Sequence, residues 1–225
     1  MKFVVIEGLD ASGKSTQLGL LHNYLKTNNI KYKYLHFPRT DAPVYGDLIA
    51  RFLRGEFGDI NTVNPYLVAL LYAGDRKDAA EIVQSWIHQH YLVVADRYVH
   101  SNIAFQCAKV NNKSEREALK NWIIYFEYQY NKIPKPDLSL FLDVPFEFTI
   151  KKLGQDRKGH DRVYLKGKRD IHEDDIKFQQ RVRDIYLALV REDPEFQLID
   201  CKDKKNSILP PQTIFRSILK KLKLD

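Results

Sequence analysis

Short apolar runs alternate with amphipathic stretches along most of the chain, and this alternation predicts the secondary structure. The apolar runs predict β-strands over residues 2–7, 32–37, 91–95, 138–142 and 196–199. Apolar residues at three- and four-residue spacing predict helices over residues 14–26, 44–54, 64–89, 113–130, 146–153, 173–191 and 210–222. Strands that alternate with helices form parallel sheets, so we expect a three-layer α/β fold with a five-stranded parallel sheet flanked by helices.

Local signals refine parts of this pattern. Gly74 is a candidate break in the longest helix, because glycine weakens helix interiors. Ser114, followed three residues later by Glu117, is the expected N-cap of the next long helix. Residues from about 153 to 172 are polar, basic and glycine-bearing, which suits a short mobile lid, with a solvated charge run as the alternative. We expect one domain over residues 1–225 that includes this lid.

Composition and charge narrow the class of protein. The chain has 36 Lys and Arg against 29 Asp and Glu, a net charge of +7. Its basic clusters lack interleaved aromatic residues, so we favour an anionic small molecule over a nucleic acid as the partner. We expect no membrane segment and no signal peptide. Two distant cysteines, Cys107 and Cys201, predict a reducing cytoplasm and neither a disulfide framework nor a zinc site.

A phosphate-binding loop is the strongest motif in the chain. Residues 8–15 read G-x-x-x-x-G-K-S, between the first predicted strand and the first predicted helix. Glycines allow backbone N–H groups to converge, and the helix start adds its positive dipole. The expected residues of this polyphosphate site, which would bind ATP if the nucleotide is the donor, are Gly8, Leu9, Asp10, Ala11, Ser12, Gly13, Lys14, Ser15 and Thr16. Lys14 adds a charge for the β- and γ-phosphates, and the Ser15 hydroxyl is a candidate Mg²⁺ ligand.

Charged residues follow two further strands, and the carboxyl ends of parallel strands meet at one edge of the sheet. Asp96 ends the strand at 91–95 and is the candidate carboxylate for Mg²⁺, with a strand-end salt bridge as the alternative. Arg97 follows directly. Arg39, just past the second strand, is a candidate for a second anion, with a surface arginine as the alternative, and Phe37 is a candidate wall of the cavity.

These features together favour direct phosphoryl transfer. The sequence contains no evident nucleophile–base pair of the Ser–His kind, and none of the seven histidines lies in a motif. Positioning and charge stabilisation supply most of the catalysis in phosphoryl transfer, and a lid keeps water from competing as acceptor.

Nearly the whole chain resembles the thymidylate kinase family of P-loop nucleoside-monophosphate kinases. The stretches that carry the resemblance are Ile6 to Asp10, Gly13 to Gln17, Phe37-Pro38-Arg39, Leu70 to Arg76, Asp96-Arg97-Tyr98 with Ser101, Ala104 and Phe105, Pro134 to Asp137, Leu140 to Val144, and Asp161-Arg162. The resemblance implies Mg²⁺-dependent transfer of the γ-phosphoryl group of ATP to dTMP, which gives dTDP and ADP. It also implies a homodimer, for which the aromatic helix around Trp122 is a candidate contact.

Residue roles follow from the same resemblance. Asp10 would accept a hydrogen bond from the 3′-hydroxyl of the sugar, while Arg39 and Arg97 would hold the acceptor phosphate. Tyr72 would stack on the thymine, and Arg76 would reach a thymine carbonyl. Three further residues would shape the pocket for the base and sugar: Ser101, Phe105 and Gln106. Ser15 and Asp96 would serve Mg²⁺.

Three departures from the family pattern stand out. Some members carry an arginine inside the phosphate loop, where this chain has Ala11 and Ser12, so Arg157 and Arg162 of the lid are the candidate catalytic arginines. Cys107-Ala108 replaces glycines that are often found there. The basic stretch at 164–172 has no explanation from the sequence. Two alternatives stay open: a P-loop kinase for another nucleoside or nucleoside monophosphate, and a P-loop switch or nucleic-acid-associated ATPase.

Overall fold

Five parallel strands form the centre of the computed structural model, which describes residues 2–60, 62–153, 160–166, 170–172 and 175–224. The strands are β1 (Phe3–Gly8), β2 (Tyr32–His36), β3 (Leu92–Asp96), β4 (Leu138–Asp143) and β5 (Phe196–Asp200). Their spatial order is β2-β3-β1-β4-β5, and every neighbouring pair is parallel. The predicted α/β fold with a five-stranded parallel sheet is therefore confirmed.

Helices cover both faces of this sheet. They are α1 (Lys14–Thr27), α2 (Tyr45–Leu53), α3 (Pro65–His88), α4 (Val99–Cys107), α5 (Lys113–Ile124), α6 (Phe146–Leu153), α7 (Ile176–Glu192) and α8 (Pro211–Leu222). A π-helix (Tyr125–Tyr130) continues α5, and a 3₁₀ helix (His160–Leu165) lies within the expected lid. Within the described ranges, none of the helices has the length and apolar character needed to cross a membrane.

The apolar side chains of β1 alternate between two core layers, as the two-residue period of a strand requires. Val4 and Ile6 belong to the layer with α1 and α8. Phe3 and Val5 belong to the opposite layer, with α3, α4 and α7. Both faces of the strand are covered, and all six of its residues are buried, as expected for a central parallel strand.

Two local predictions were wrong. Gly74 does not break α3, which runs without interruption from Pro65 to His88. The glycine instead makes room for an aromatic ring, since a Cβ at this position would lie 2.2 Å from Cε1 of Tyr45. Ser114 is not the N-cap of α5: the cap is Asn112, whose side chain accepts a hydrogen bond from the Glu115 N–H at 3.0 Å.

Strand register brings the polar strand ends together. Asp96 pairs with Ile6 of β1 on one side and with His36 of β2 on the other. The loop that follows β1 therefore emerges beside the residues that end β2 and β3. This edge of the sheet is where an open α/β fold places its ligand site.

Candidate active site

The phosphate loop connects β1 to α1 and has the backbone geometry that the motif predicts. Ala11 and Gly13 both have left-handed φ angles, +60° and +85°. Gly8 allows the loop to fold closely, because a Cβ there would lie 2.6 Å from Ser12 Oγ. Gly8 and Leu9 do not line the cavity described below, whereas the loop residues from Asp10 to Thr16 do.

Lys14 lies folded against this loop. Its Nζ donates hydrogen bonds to the carbonyl oxygens of Gly8 and Leu9, at 3.3 and 3.1 Å. Burial, reinforced by the nearby charge of Arg97, lowers the pKa of Lys14 to about 8. A polyphosphate placed against the loop would favour the charged form of this amine.

Asp96 presents one free oxygen at the centre of the edge. Its Oδ2 lies 3.2 Å from His36 Nδ1, and its buried Oδ1 has no hydrogen-bond partner among the described residues. Burial opposes ionisation, but the hydrogen bond from His36 and the charge of Lys14 hold the pKa of Asp96 below its ordinary value. An ionised oxygen without a partner is a suitable ligand for a hard cation.

Ser15 supplies a second oxygen, because it is exposed at the start of α1 and lines the same cavity. The described part of the chain has no cluster of three or more His, Cys, Asp or Glu side chains that could hold a metal by itself. This donor set fits Mg²⁺, which usually takes one or two protein ligands together with phosphate oxygens and water.

Arg97 is held rigidly beside Asp96. It has a left-handed φ of +66°, and its guanidinium donates to Asp10 Oδ1 at 2.7 Å and to Ser101 Oγ at 3.1 Å. Burial opposes its charge, but the carboxylates of Asp10 and Asp96 and the nearby Tyr186 raise the pKa of Arg97 further. The guanidinium therefore stays charged inside the cavity, as a site for an anion requires.

Glu7 is a functional residue that the sequence analysis assigned no role. It is fully buried in β1 and accepts hydrogen bonds from the Tyr98 N–H at 2.8 Å, Ser101 Oγ at 2.6 Å and the Tyr186 hydroxyl at 2.9 Å. These bonds fix the turn after β3 that carries Arg97. The feature of the sequence that could have indicated this role is the position of an acidic residue in an otherwise apolar strand.

The far end of the cavity is aromatic and contains one buried ion pair. Tyr72, Phe105 and Gln106 line it together with Arg76. Arg76 Nε lies 3.0 and 3.1 Å from the two carboxylate oxygens of Glu127, which comes from the π-helix, and Arg76 Nη2 also bonds to this carboxylate. Glu127 could not be identified from the sequence, because nothing in the pattern of the helix marks it as buried.

Arg39 is not brought to the cavity. Its guanidinium donates to Asp75 Oδ1 at 2.9 Å and to Asp78 Oδ2 at 2.6 Å, so it lies along α3. The cavity is lined instead by residues on either side of it in the chain, Phe37, Pro38 and Thr40. This position matches the alternative given for Arg39, a surface arginine, and its ion pairs hold it there in this structure.

The expected lid is only partly described. Arg157 lies outside the described residues. The backbone of Arg162 belongs to the 3₁₀ helix, but its side chain is outside the described part of the structure. Three residues from the stretch at 164–172 line the cavity: Tyr164, Asp170 and His172. The Tyr164 hydroxyl donates to Asp170 Oδ2 at 3.0 Å, and the Tyr164 carbonyl accepts from Arg54 Nη1 at 2.7 Å. The described residues of this stretch, which the sequence left unexplained, therefore contribute to the cavity wall.

The loop residues from Asp10 to Thr16, the strand-end residues Asp96 and Arg97, and the aromatic residues Tyr72 and Phe105 line one cavity of about 860 Å³. It extends from the phosphate loop, past Asp96 and Arg97, to Tyr72 and Arg76. We call the loop side the phosphate end and the side of Tyr72 and Arg76 the base end. Such a cavity can hold a polyphosphate, a hard cation, a second anion and a flat apolar ring in sequence.

The chain as a whole is similar to known proteins. The family model of thymidylate kinase matches residues 6–209. A thymidylate kinase of Plasmodium falciparum is 30% identical over 200 residues, 85% of this chain and 89% of that protein. One from Mycobacterium tuberculosis is 31% identical over 186 residues, 83% of this chain and 84% of that protein. The solved thymidylate kinase of Candida albicans superimposes with a TM-score of 0.73 at 26% identity, covering 99% of this chain and 92% of that one.

Proposed function

The chain belongs to the thymidylate kinase family, whose enzymes phosphorylate dTMP, and we propose that its cavity binds ATP at the phosphate end and dTMP at the base end. The reaction is transfer of the γ-phosphoryl group of ATP to the phosphate of dTMP, which gives ADP and dTDP. One observation carries the assignment of the two ends: a single cavity joins the phosphate loop to an aromatic pocket, with Asp96 and Arg97 between them.

The division of labour follows from the charges. Loop N–H groups and Lys14 bind the donor phosphates, and Arg97 holds the acceptor phosphate in line with them. The acceptor oxygen is already ionised at neutral pH, so its attack needs no general base. Mg²⁺, held by Ser15 and Asp96, would neutralise charge on the transferred group. At the base end, Tyr72 stacks on the thymine and Arg76 hydrogen-bonds to a thymine carbonyl.

One carboxylate and two arginines of the expected lid complete the proposal. Asp10, whose Oδ1 accepts from Arg97 and whose Oδ2 accepts from Gln179, receives the 3′-hydroxyl of the sugar. Arg157 and Arg162 act on the transferred phosphoryl group, because the loop positions Ala11 and Ser12 provide no guanidinium. Turnover that stays complete in both Arg157→Ala and Arg162→Ala would contradict the lid assignment.

We also propose a cytoplasmic homodimer. The free, buried cysteines Cys107 and Cys201 are compatible with a reducing compartment. Trp122 of α5 stacks on Phe126 of the π-helix, and exposed aromatic side chains such as Tyr125 (58% exposed) lie beside them. Sedimentation velocity measures the oligomeric state, and Tyr125→Glu is expected to shift a dimer toward monomer, whereas Lys26→Glu on α1 is not.

A coupled assay for ADP tests the reaction. The acceptors are dTMP, dUMP, UMP, CMP, dGMP, AMP and thymidine, with a blank that contains no acceptor. We expect turnover with dTMP well above all others. Equal ADP release in the blank would point to an ATPase, and a higher rate with another acceptor would favour a kinase for that compound.

Two arginine variants test the acceptor phosphate site. Arg97→Ala is expected to weaken dTMP binding at least tenfold and to leave ATP binding near its original value, because a charge-assisted contact to the acceptor is lost. Arg39→Ala is the matched comparison, since its guanidinium pairs with Asp75 and Asp78. Equal losses of dTMP affinity in both variants would mean that Arg39 moves into the cavity when substrate binds.

A further inference from the structure

Residues 170–172 form a wall over the base end and are anchored from two sides. The Ile171 N–H donates to the Leu53 carbonyl at the end of α2, at 3.2 Å. The His172 carbonyl accepts from Gln179 Nε2 of α7 at 2.7 Å. These bonds hold the segment across the opening between the two helices, so His172 has a defined position in the cavity wall.

Three phenylalanines set the plane of the His172 ring. Its centroid lies 5.0 Å from that of Phe105, 5.5 Å from Phe178 and 5.6 Å from Phe52. The three rings come from α4, α7 and α2, so the imidazole is enclosed by different elements and cannot rotate freely. His172 is only 5% exposed, and it is one of the residues that line the cavity.

One nitrogen of this imidazole is left unsatisfied by the described residues. Nε2 is buried and has no hydrogen-bond partner within the described part of the chain. The other ring nitrogen, Nδ1, lies on the side of Asp170, 3.9 Å from Oδ1. Gln106 Oε1, which belongs to a second residue of the cavity wall, is buried without a described partner as well. Buried polar atoms of this kind are costly unless a ligand or solvent satisfies them.

The surroundings decide what kind of group Nε2 can meet. Burial and the nearby charge of Lys109 hold the pKa of His172 well below its usual range, so the ring is uncharged at neutral pH. An uncharged ring among phenylalanines suits a flat heterocycle with its own donors and acceptors, whereas the phosphates are matched by Lys14 and Arg97 at the other end.

We propose that His172 is a specificity-determining residue that hydrogen-bonds through Nε2 to the pyrimidine ring of the acceptor nucleotide. This inference rests on the proposed function of the base end and adds a contact from the stretch at 164–172. A pyrimidine with ring carbonyls and an N–H can satisfy either tautomer of the imidazole. Gln106 Oε1 provides a neighbouring acceptor for the same ring.

Two substitutions of His172 test its contact with the pyrimidine ring. One keeps an aromatic ring at this position, and the other keeps a group that can form the hydrogen bond. His172→Phe keeps an aromatic ring among Phe52, Phe105 and Phe178 but removes Nε2. We expect it to raise the KM for dTMP roughly tenfold, the size of one neutral hydrogen bond, while kcat and the KM for ATP change less than twofold. His172→Gln, whose amide reaches the same distance from the backbone, is expected to recover part of the loss.

A second histidine provides the matched control. His100 also stacks on a phenylalanine, Phe196 at 4.0 Å, but does not line the cavity. His100→Phe is expected to leave the KM for dTMP unchanged. An unchanged KM in His172→Phe, or an equal increase in His100→Phe, would overturn the proposal.

A direct observation does not depend on activity or on the variants folding. In the unmodified protein with ¹⁵N-labelled histidine, dTMP is expected to shift the Nε2 resonance of His172, and 2-deoxyribose 5-phosphate, which lacks the base, is not. Equal shifts with both compounds would assign the contact to the sugar phosphate and overturn the proposal. Failure of the unmodified protein to phosphorylate dTMP would overturn the proposed function itself, whereas full activity with no base-dependent shift would overturn this inference alone.

Discussion

The phosphate end and the base end of the cavity are built in opposite ways. Residues 10–16 supply most of the phosphate end from one continuous turn, with backbone geometry as the main device. The base end takes its walls from α2, α3, α4 and the stretch at 164–172, and the π-helix supplies the carboxylate that pairs with Arg76. A site for phosphate can be made locally because backbone N–H groups bind it, whereas a pocket for a flat ring requires side chains from several directions.

The two ends also handle charge differently. At the phosphate end, both cations line the cavity: Lys14 bonds only to carbonyl oxygens among the described residues, and Arg97 is paired with Asp10, which lines the cavity as well. At the base end, the Arg76 guanidinium is paired with Glu127, and both side chains are almost fully buried, 2% and 0% exposed. Loss of Glu127 should therefore affect mainly stability, and loss of Lys14 should affect mainly turnover.

The largest effect is expected from Glu127→Ala. It leaves the Arg76 guanidinium buried without its partner and removes an acceptor of Asn102 Nδ2. Breaking one side of a buried ion pair costs about 3–5 kcal/mol, so the free energy of unfolding in urea should fall by that amount. Glu117→Ala, which breaks a surface pair with Lys120, is the control. A similar loss of unfolding free energy in both variants would show that the buried ion pair stabilises the protein no more than the surface pair does.

Lys14→Ala should leave stability nearly intact and reduce turnover. The side chain contributes charge to the transition state, and loss of one such stabilising group costs about 10²- to 10³-fold in kcat. Steady-state kinetics measures this, and Lys26→Ala, an exposed lysine at the end of the same helix, should behave like the unmodified protein. A kcat within tenfold of the original would contradict the assignment of the phosphate end.

Gly74→Ala tests the packing of α3 behind the base end. The new Cβ would lie 2.2 Å from Tyr45 Cε1, so the ring must move, at a cost of about 1–3 kcal/mol in unfolding free energy. In a Tyr45→Ala background the same substitution should be neutral or stabilising, because alanine is the better helix former. A loss that is the same in both backgrounds would exclude the ring as its cause.

The most gradual effect concerns the pH dependence of stability, because it is spread over several pH units. Lys109 Nζ is buried 4.7 Å from the centre of the Phe52 ring, and burial lowers its pKa from 10.5 to about 7. Between these values the unfolded chain binds more protons than the folded protein, so the free energy of unfolding should rise with pH, by at most about 1.4 kcal/mol per pH unit. Below pH 7 the full cost of the buried charge is present.

Lys109→Met should remove this part of the rise and raise stability most at low pH. Urea unfolding at pH 6.5, 8 and 9 measures the slope, and Lys113→Met, an exposed lysine at the start of α5, should leave it unchanged. Parallel slopes in the unmodified protein and Lys109→Met would contradict the buried position of the amine.

Much of the fold followed from periodicity, because strand and helix repeats are local. The failures were also informative. Gly74 was expected to break a helix because of its low helix propensity. In the structure, the absence of a side chain at Gly74 leaves space for the ring of Tyr45. Asn112 and Ser114 are both good caps, and only the backbone shows which of them accepts the first free N–H.

The sequence by itself determined the parallel α/β fold, the phosphate loop and the positions of Asp96 and Arg97, because each depends on neighbouring residues or on strand ends. Tertiary structure alone decided that Arg39 pairs with α3, that Glu7 fixes the turn around Arg97, and that Glu127 and His172 complete the base end. The hydrogen bonds of Arg39, Glu7 and Arg76 named above join residues at least 36 positions apart in the chain. No local pattern in the sequence indicates which distant side chains will be buried together.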